Sequence, residues 1–297
     1  MIKRVLSLVM LLLLPLVAGG VSLEVVDEGS VVVAELDNPA RYSFTITAGE
    51  EDTLELYSLV GVTFSPRGSF DVEAGTQSID VLAFTNRDIR KRDGIFSFEY
   101  FVTSRRSAIQ SSTLQLRVAS LVDTIEVAPV NVRYLDDSLS FVLKNNQNAR
   151  LDDLSVTFSS PLFTEQKTVS FAPFGTANVT IPLSVEQRNT LAAGAYVVEV
   201  TVAQPNGGTG TIQGMLHYLE QQGTSVSETS KGFIIRQRTV EKTNAGNVVV
   251  ADSITLEKDI ISRLFTSASP APAEVKRSGL SVQYVWHEQL QPGESWS

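Results

Sequence analysis

Phe171-Ala172-Pro173-Phe174-Gly175-Thr176 runs directly into Val179-Thr180-Ile181-Pro182-Leu183, a tight turn feeding a short apolar strand. The same signature stands earlier as Val72-Glu73-Ala74-Gly75-Thr76, followed by Ile79-Asp80-Val81-Leu82-Ala83-Phe84. It returns as Leu290-Gln291-Pro292-Gly293-Glu294-Ser295, after which come only Trp296 and Ser297. Self-similarity at a spacing of about 100 residues is what tandem β-sandwich modules leave in a sequence. The chain therefore reads as all-β, built of tandem immunoglobulin-like β-sandwiches, the third incomplete. The expectation is a natural chain that continues, or a gene fragment; a divergent terminal module is the alternative.

Working outward from the signature, period-2 patterning dominates. Tyr42-Ser43-Phe44-Thr45-Ile46, Leu54-Glu55-Leu56-Tyr57, Phe96 to Val102 and Leu114 to Val118 read as strands of a first module, 21–126. Alternating apolar and polar residues give a strand one buried face. The second module, 127–220, repeats the order with Leu139 to Leu143, Leu154 to Phe158 and Tyr196 to Val202. Asp123 to Ala128 reads as a hinge between the two. Residues 221–232 are polar and rich in Ser, Thr and Gly, and read as a linker. The third, truncated module spans 233–297, with a strand extension over Asp259 to Phe265 favoured over a short helix.

Residues 1–20 stand apart. Lys3 and Arg4 precede an apolar run from Val5 to Leu14, and Ala18-Gly19-Gly20 follows. These are the parts of a secretory signal peptide, with an uncleaved N-terminal anchor as the alternative. The net charge is −9; without Lys3 and Arg4, 22 basic residues stand against 33 acidic ones. Such acidity disfavours nucleic acid, which is bound through clustered Lys and Arg. With no Cys, disulfides, thiol catalysis and Cys-based zinc sites are excluded.

The turn Lys242-Thr243-Asn244-Ala245-Gly246-Asn247 and the later Pro292-Gly293-Glu294 resemble the CARDB-type and NPCBM-associated immunoglobulin-like domains of exported prokaryotic multi-module surface proteins. Ala193-Gly194-Ala195-Tyr196 matches a further element of that pattern. The resemblance covers residues 130–297. The first module departs from it, carrying Thr47-Ala48-Gly49-Glu50 where an Asn-Gly turn belongs. The resemblance implies a sandwich, an exported location, often a C-terminal membrane tether, and no enzyme activity.

Candidate chemistry is sparse. His217 and His287 lack companions at metal-ligand spacing. No Gly-x-Ser-x-Gly elbow is present. The calcium candidates are Asp136, Asp137, Asp152 and Asp153, hard oxygen ligands in loops expected at one end of the second module, with solvated turn aspartates the simpler reading. Arg87 to Arg92 is the one basic cluster, either an anion contact or a hairpin tip neutralised by its own aspartates. Asn178-Val179-Thr180 is an N-glycosylation sequon. Trp286 and Trp296 read as core residues. The expected function is that of a non-enzymatic, exported cell-surface protein, structural, adhesive or partner-binding, with no catalytic residues and no cofactor beyond calcium. Its partners would be protein or glycan, with membrane attachment through the N-terminal segment or a C-terminal helix. The alternative is a carbohydrate-binding or accessory region of a larger surface enzyme, which a row of exposed aromatics on one sheet face would favour.

Overall fold

The computed structural model describes residues 21–106, 109–205, 207–233 and 236–297. The expected signal peptide lies outside them. The chain divides into two compact units, one holding residues up to 120 with 148–150, the other holding 121–147 and 151–297.

Unit one is a complete sandwich. Its first sheet orders β1 (Ser22–Gly29), β3 (Ala40–Ala48), β7 (Gly75–Thr85) and β5 (Val62–Ser65). Its second orders β2 (Val31–Val33), β9 (Gln110–Ala119), β8 (Gly94–Ser104), β4 (Asp52–Ser58) and β6 (Ser69–Val72). Strict alternation sends Ala40, Tyr42, Phe44, Ile46 and Ala48 inward from β3, against Leu54 and Leu56 of β4 and Phe98, Tyr100 and Val102 of β8. The chain changes sheets at Ser30: β1 pairs antiparallel with β3, whereas β2 runs parallel to β9.

Unit two begins with α2 (Leu121–Thr124), following α1 (Arg87–Arg90) of unit one. The second sandwich then repeats the plan of the first. One sheet orders β10 (Ile125–Val127), β12 (Ser138–Asn145) and β15 (Thr176–Pro182). The other orders β11 (Val130–Val132), β17 (Thr209–Tyr218), β16 (Gly194–Ala203), β13 (Leu151–Ser160) and β14 (Phe163–Phe171). The stretch read as a hinge is α2 and β10, and β10 pairs with β12 from Ile125 opposite Asn145. Pro129 marks the change of sheet, because a residue without an amide hydrogen suits a break in a ladder. Phe141 and Phe158 stack across the core at 5.1 Å, both fully buried. Before β16, α3 (Val185–Thr190) forms a short helix.

The third sandwich has two three-stranded sheets, β18 (Thr224–Lys231), β19 (Gln237–Asn244) and β23 (Ser295–Trp296), and β20 (Val250–Asp259), β22 (Ser281–Leu290) and β21 (Glu274–Ser278). The segment expected as a linker thus holds β18, which pairs with β19 over its whole length. Its Ser and Thr residues are compatible with a pleated surface and need no loop. Residues 259–265 are not a strand extension. Asp259 Oδ1 accepts from the Ile261 and Ser262 amides at 3.0 and 2.8 Å and starts α4 (Ile260–Arg263). A side-chain acceptor at that place satisfies the open amides of a helix start.

The threefold signature has a different structural meaning from a hairpin turn. In each copy it is the corner at which the chain leaves one sheet for the other: β6 to β7, β14 to β15, β22 to β23. Gly75, Phe174 and Gly293 take positive φ there, at 114°, 54° and 74°. In the second and third copies a buried asparagine staples the corner. Asn145 Nδ2 donates to Ala172 O at 3.0 Å and its amide to Gly175 O at 2.8 Å. Asn244 Nδ2 donates to Leu290 O at 3.0 Å and its amide to Glu294 O at 2.9 Å. The Asn turn and the Pro-Gly-Glu turn are therefore two halves of one device. The first sandwich lacks the asparagine and closes the corner by pairing Ala48 directly with Gly75.

Candidate binding site: the open third sandwich

In each of the first two sandwiches the strand after the first turn is an inner strand of the five-stranded sheet. In the first, β4 lies between β6 and β8; in the second, β13 lies between β14 and β16. In the third, β20 pairs with β22 on one side, and no described strand pairs with its other side. An unpaired edge presents a row of amides and carbonyls ready to bond another strand.

The apolar floor beside that edge is uncovered. Inward residues of the equivalent inner strands β4 and β13, Leu54, Val156 and Phe158, are fully buried. Ile254 and Leu256 of β20 and Val240 of β19 are only half-buried, and Val226 of β18 is 61% exposed. Buried apolar residues among those described in the third sandwich are Val282, Tyr284, Val285 and Leu290. Trp286 and Trp296, expected in the core, are half-buried. Trp286 Nε1 donates to Pro270 O at 2.8 Å.

One lysine ties the two sheets across this floor. Lys242 Nζ of β19 donates to Asp252 Oδ1 of β20 at 2.8 Å and to Ser253 O at 2.7 Å. The Lys242 hydrogen bond, more than any other contact, holds the Asp252 carboxyl below the usual carboxylate range. On the neighbouring ladder, Arg238 meets Glu228 at 2.7 Å. These contacts order the inward face without filling it. They supply a strand edge, an apolar floor and fixed charges, which is equipment for binding an extended peptide.

The residues singled out by sequence lie elsewhere. Asp136 and Asp137 precede β12, whereas Asp152 and Asp153 follow its far end, so the two pairs sit at opposite ends of the second sandwich. Asp136 Oδ2 accepts from the Arg133 amide at 2.8 Å. Asp152 and Asp153 form a β-bulge in β13, with Asp153 at φ 52° and its amide donating to Ser170 Oγ at 2.9 Å. Aspartate tolerates that left-handed conformation better than most residues. Among the described residues no group of three His, Cys, Asp or Glu side chains is placed to hold a metal.

Asn178 is exposed on β15, and Thr180 of its sequon shares a 3.0 Å hydrogen bond with Ser140. The basic cluster is α1 rather than a hairpin tip: Asn86 caps it, Arg90 meets Asp37 at 2.6 Å and Lys91 meets Asp88 at 3.0 Å. His217 and His287 are exposed on separate sandwiches. Tyr57 and Phe101 stack at 5.3 Å on an outward sheet face, their rings turned to each other. They are a single pair and not a row.

No protein-family model matches the chain, and no curated protein matches it. Solved structures similar to it include the E. coli chaperone DraB, 14% identical, over 65% of this chain and 97% of that one, with a TM-score of 0.29. A chain of the Salmonella enterica SafA pilin–SafB chaperone complex is 10% identical over 66% and 96%, at 0.27. A Porphyromonas gingivalis W83 protein of unknown function is 13% identical over 66% and 99%, at 0.24. Scores this low leave the function to be argued from the geometry of this chain itself.

Proposed function

We propose that the chain is a non-enzymatic, exported partner-binding scaffold, and that the unpaired edge of β20 in its third sandwich accepts an extended strand. The unpaired edge of β20 beside its uncovered apolar floor carries this reading. The incoming strand occupies the place that β8 and β16 hold in the closed sandwiches. Both of those pair antiparallel with the strand equivalent to β20, β4 or β13. The incoming segment therefore lies antiparallel to β20 with apolar side chains at alternate positions, turned toward Val226, Val240, Ile254 and Leu256. The signal-like residues 1–20 and the acidic composition support action outside the cytoplasm, at the cell surface.

A peptide copying β16, Gly194–Ala203, is the natural probe, because its Val198, Val200 and Val202 are buried where they close the second sandwich. Titrated into the chain, it is expected to bind saturably and to shift the fluorescence of Trp286 and Trp296. A scrambled peptide that breaks the alternation is expected not to bind. Equal binding of the two peptides, or of neither, would sink the proposal.

A further inference from the structure

The second sandwich has a strand edge that its own residues leave unguarded. β15 pairs with β12 on one side, and no described strand pairs with its other side. Bare edges invite association, and proteins blunt them with charge, proline or cover. The edge strand of the opposite sheet, β14, carries Glu165 and Lys167 on its inward row, 3.5 Å from each other. Counted from the corner glycines Gly75 and Gly175, β7 places the exposed Asp80 where β15 has Thr180. Beyond Asp80, β7 is covered by β5. β15 has no charged residue, and its one proline, Pro182, stands at its last position.

What β15 carries instead is Asn178-Val179-Thr180, the single Asn-x-Ser/Thr sequence in the 297 residues. Val179 is buried, so Asn178 and Thr180 both face outward. Asn178 is exposed and, with Lys167, Ser170 and Thr180, lines a groove of about 350 Å³ between β14 and β15. Resting on the reading of the chain as exported, we infer that Asn178 carries an N-linked oligosaccharide and that this sugar guards the β15 edge. The donor class is an oligosaccharide joined through its C1 to a polyprenyl diphosphate in the exporting membrane. Asn178 Nδ2 bonds to that C1, the bond from C1 to the diphosphate oxygen breaks, and the polyprenyl diphosphate leaves with the electron pair. The amide proton passes to a base of the transferase. Transfer takes place on the extended chain, before Thr180 reaches its 3.0 Å hydrogen bond with Ser140. In the folded sandwich a bulky, hydrated sugar at Asn178 fills the space that an incoming strand needs.

The test expresses the full chain, with residues 1–20, in a eukaryotic secretory host that glycosylates asparagine, and weighs the exported material by mass spectrometry. An increase of one oligosaccharide is expected, kept in Thr180→Ser and lost in Asn178→Gln. Light scattering at rising concentration then reads the guard. Asn178→Gln is expected to associate at about tenfold lower concentration than the glycosylated chain. Asn178→Lys lacks the sugar but charges the edge, and is expected to behave as the glycosylated chain does. The edge of β20 is common to all forms, so the differences between them report β15, and circular dichroism verifies that each variant keeps its strands. Exported chain without the added mass overturns the inference and leaves export standing. Chain retained inside the cell overturns the export reading and the inference with it. Added mass with equal association of the glycosylated and Asn178→Gln chains overturns the guard.

Discussion

Replacing Asn244 by alanine removes three hydrogen bonds at a site that is 1% exposed. Its Nδ2 donates to Val248 O at 2.7 Å and to Leu290 O at 3.0 Å, and its Oδ1 accepts from the Gly246 amide at 3.0 Å. Water has little access to take their place. At about 1 kcal/mol net for each bond, the loss is about 3 kcal/mol. The variant Asn244→Asp is expected to be worse, since a carboxylate would face two carbonyl oxygens in a dry site. The assay is built into the chain. Its two tryptophans, Trp286 and Trp296, both belong to the third sandwich, so their fluorescence reports that sandwich alone. With a urea slope of about 1–1.5 kcal/mol/M for a unit of this size, the midpoint should fall by about 2–3 M for the alanine variant. A fall below about 0.5 M, or an aspartate variant more stable than the alanine one, would refute the staple as described.

Four further outcomes follow from the geometry. The Lys242 partner lowers the folded pKa of Asp252, so the pair stabilises the third sandwich above the unfolded carboxyl value of about 3.9 and loses that contribution as pH falls through the folded value. Tryptophan fluorescence should show the third sandwich weakening below about pH 4, and Lys242→Met should flatten the change. Phe158→Ala, at a fully buried ring stacked on Phe141, should cost about 3–5 kcal/mol by calorimetry. Gly293→Ala places a Cβ 3.2 Å from Asn189 O on a residue at φ 74°, and should cost about 1 kcal/mol or more in the tryptophan-monitored transition. Millimolar calcium should leave the melting temperature unmoved, because the acidic pairs lie at opposite ends of their sandwich; a rise of several degrees would contradict their placement.

Strands such as β3 and β12 were legible because alternation at period 2 is a property of neighbouring residues. The three corners were legible as repeats for the same reason, but not as changes of sheet, since that depends on which distant strands pair. Asp153 looked like a ligand because a left-handed bulge and a calcium loop favour the same residue type. Residues 224–231 looked like a linker because a strand that buries no side chain leaves no apolar trace.

The change of sheet at Ser30 and at Pro129 has a mechanical consequence. In each closed sandwich the entering segment, β2 or β11, runs parallel to the last strand, β9 or β17, for three residue pairs. Tension applied to the two ends of such a sandwich pulls these neighbours in opposite directions along their common axis. The bonds of the pair are then loaded together in shear instead of being peeled apart one at a time.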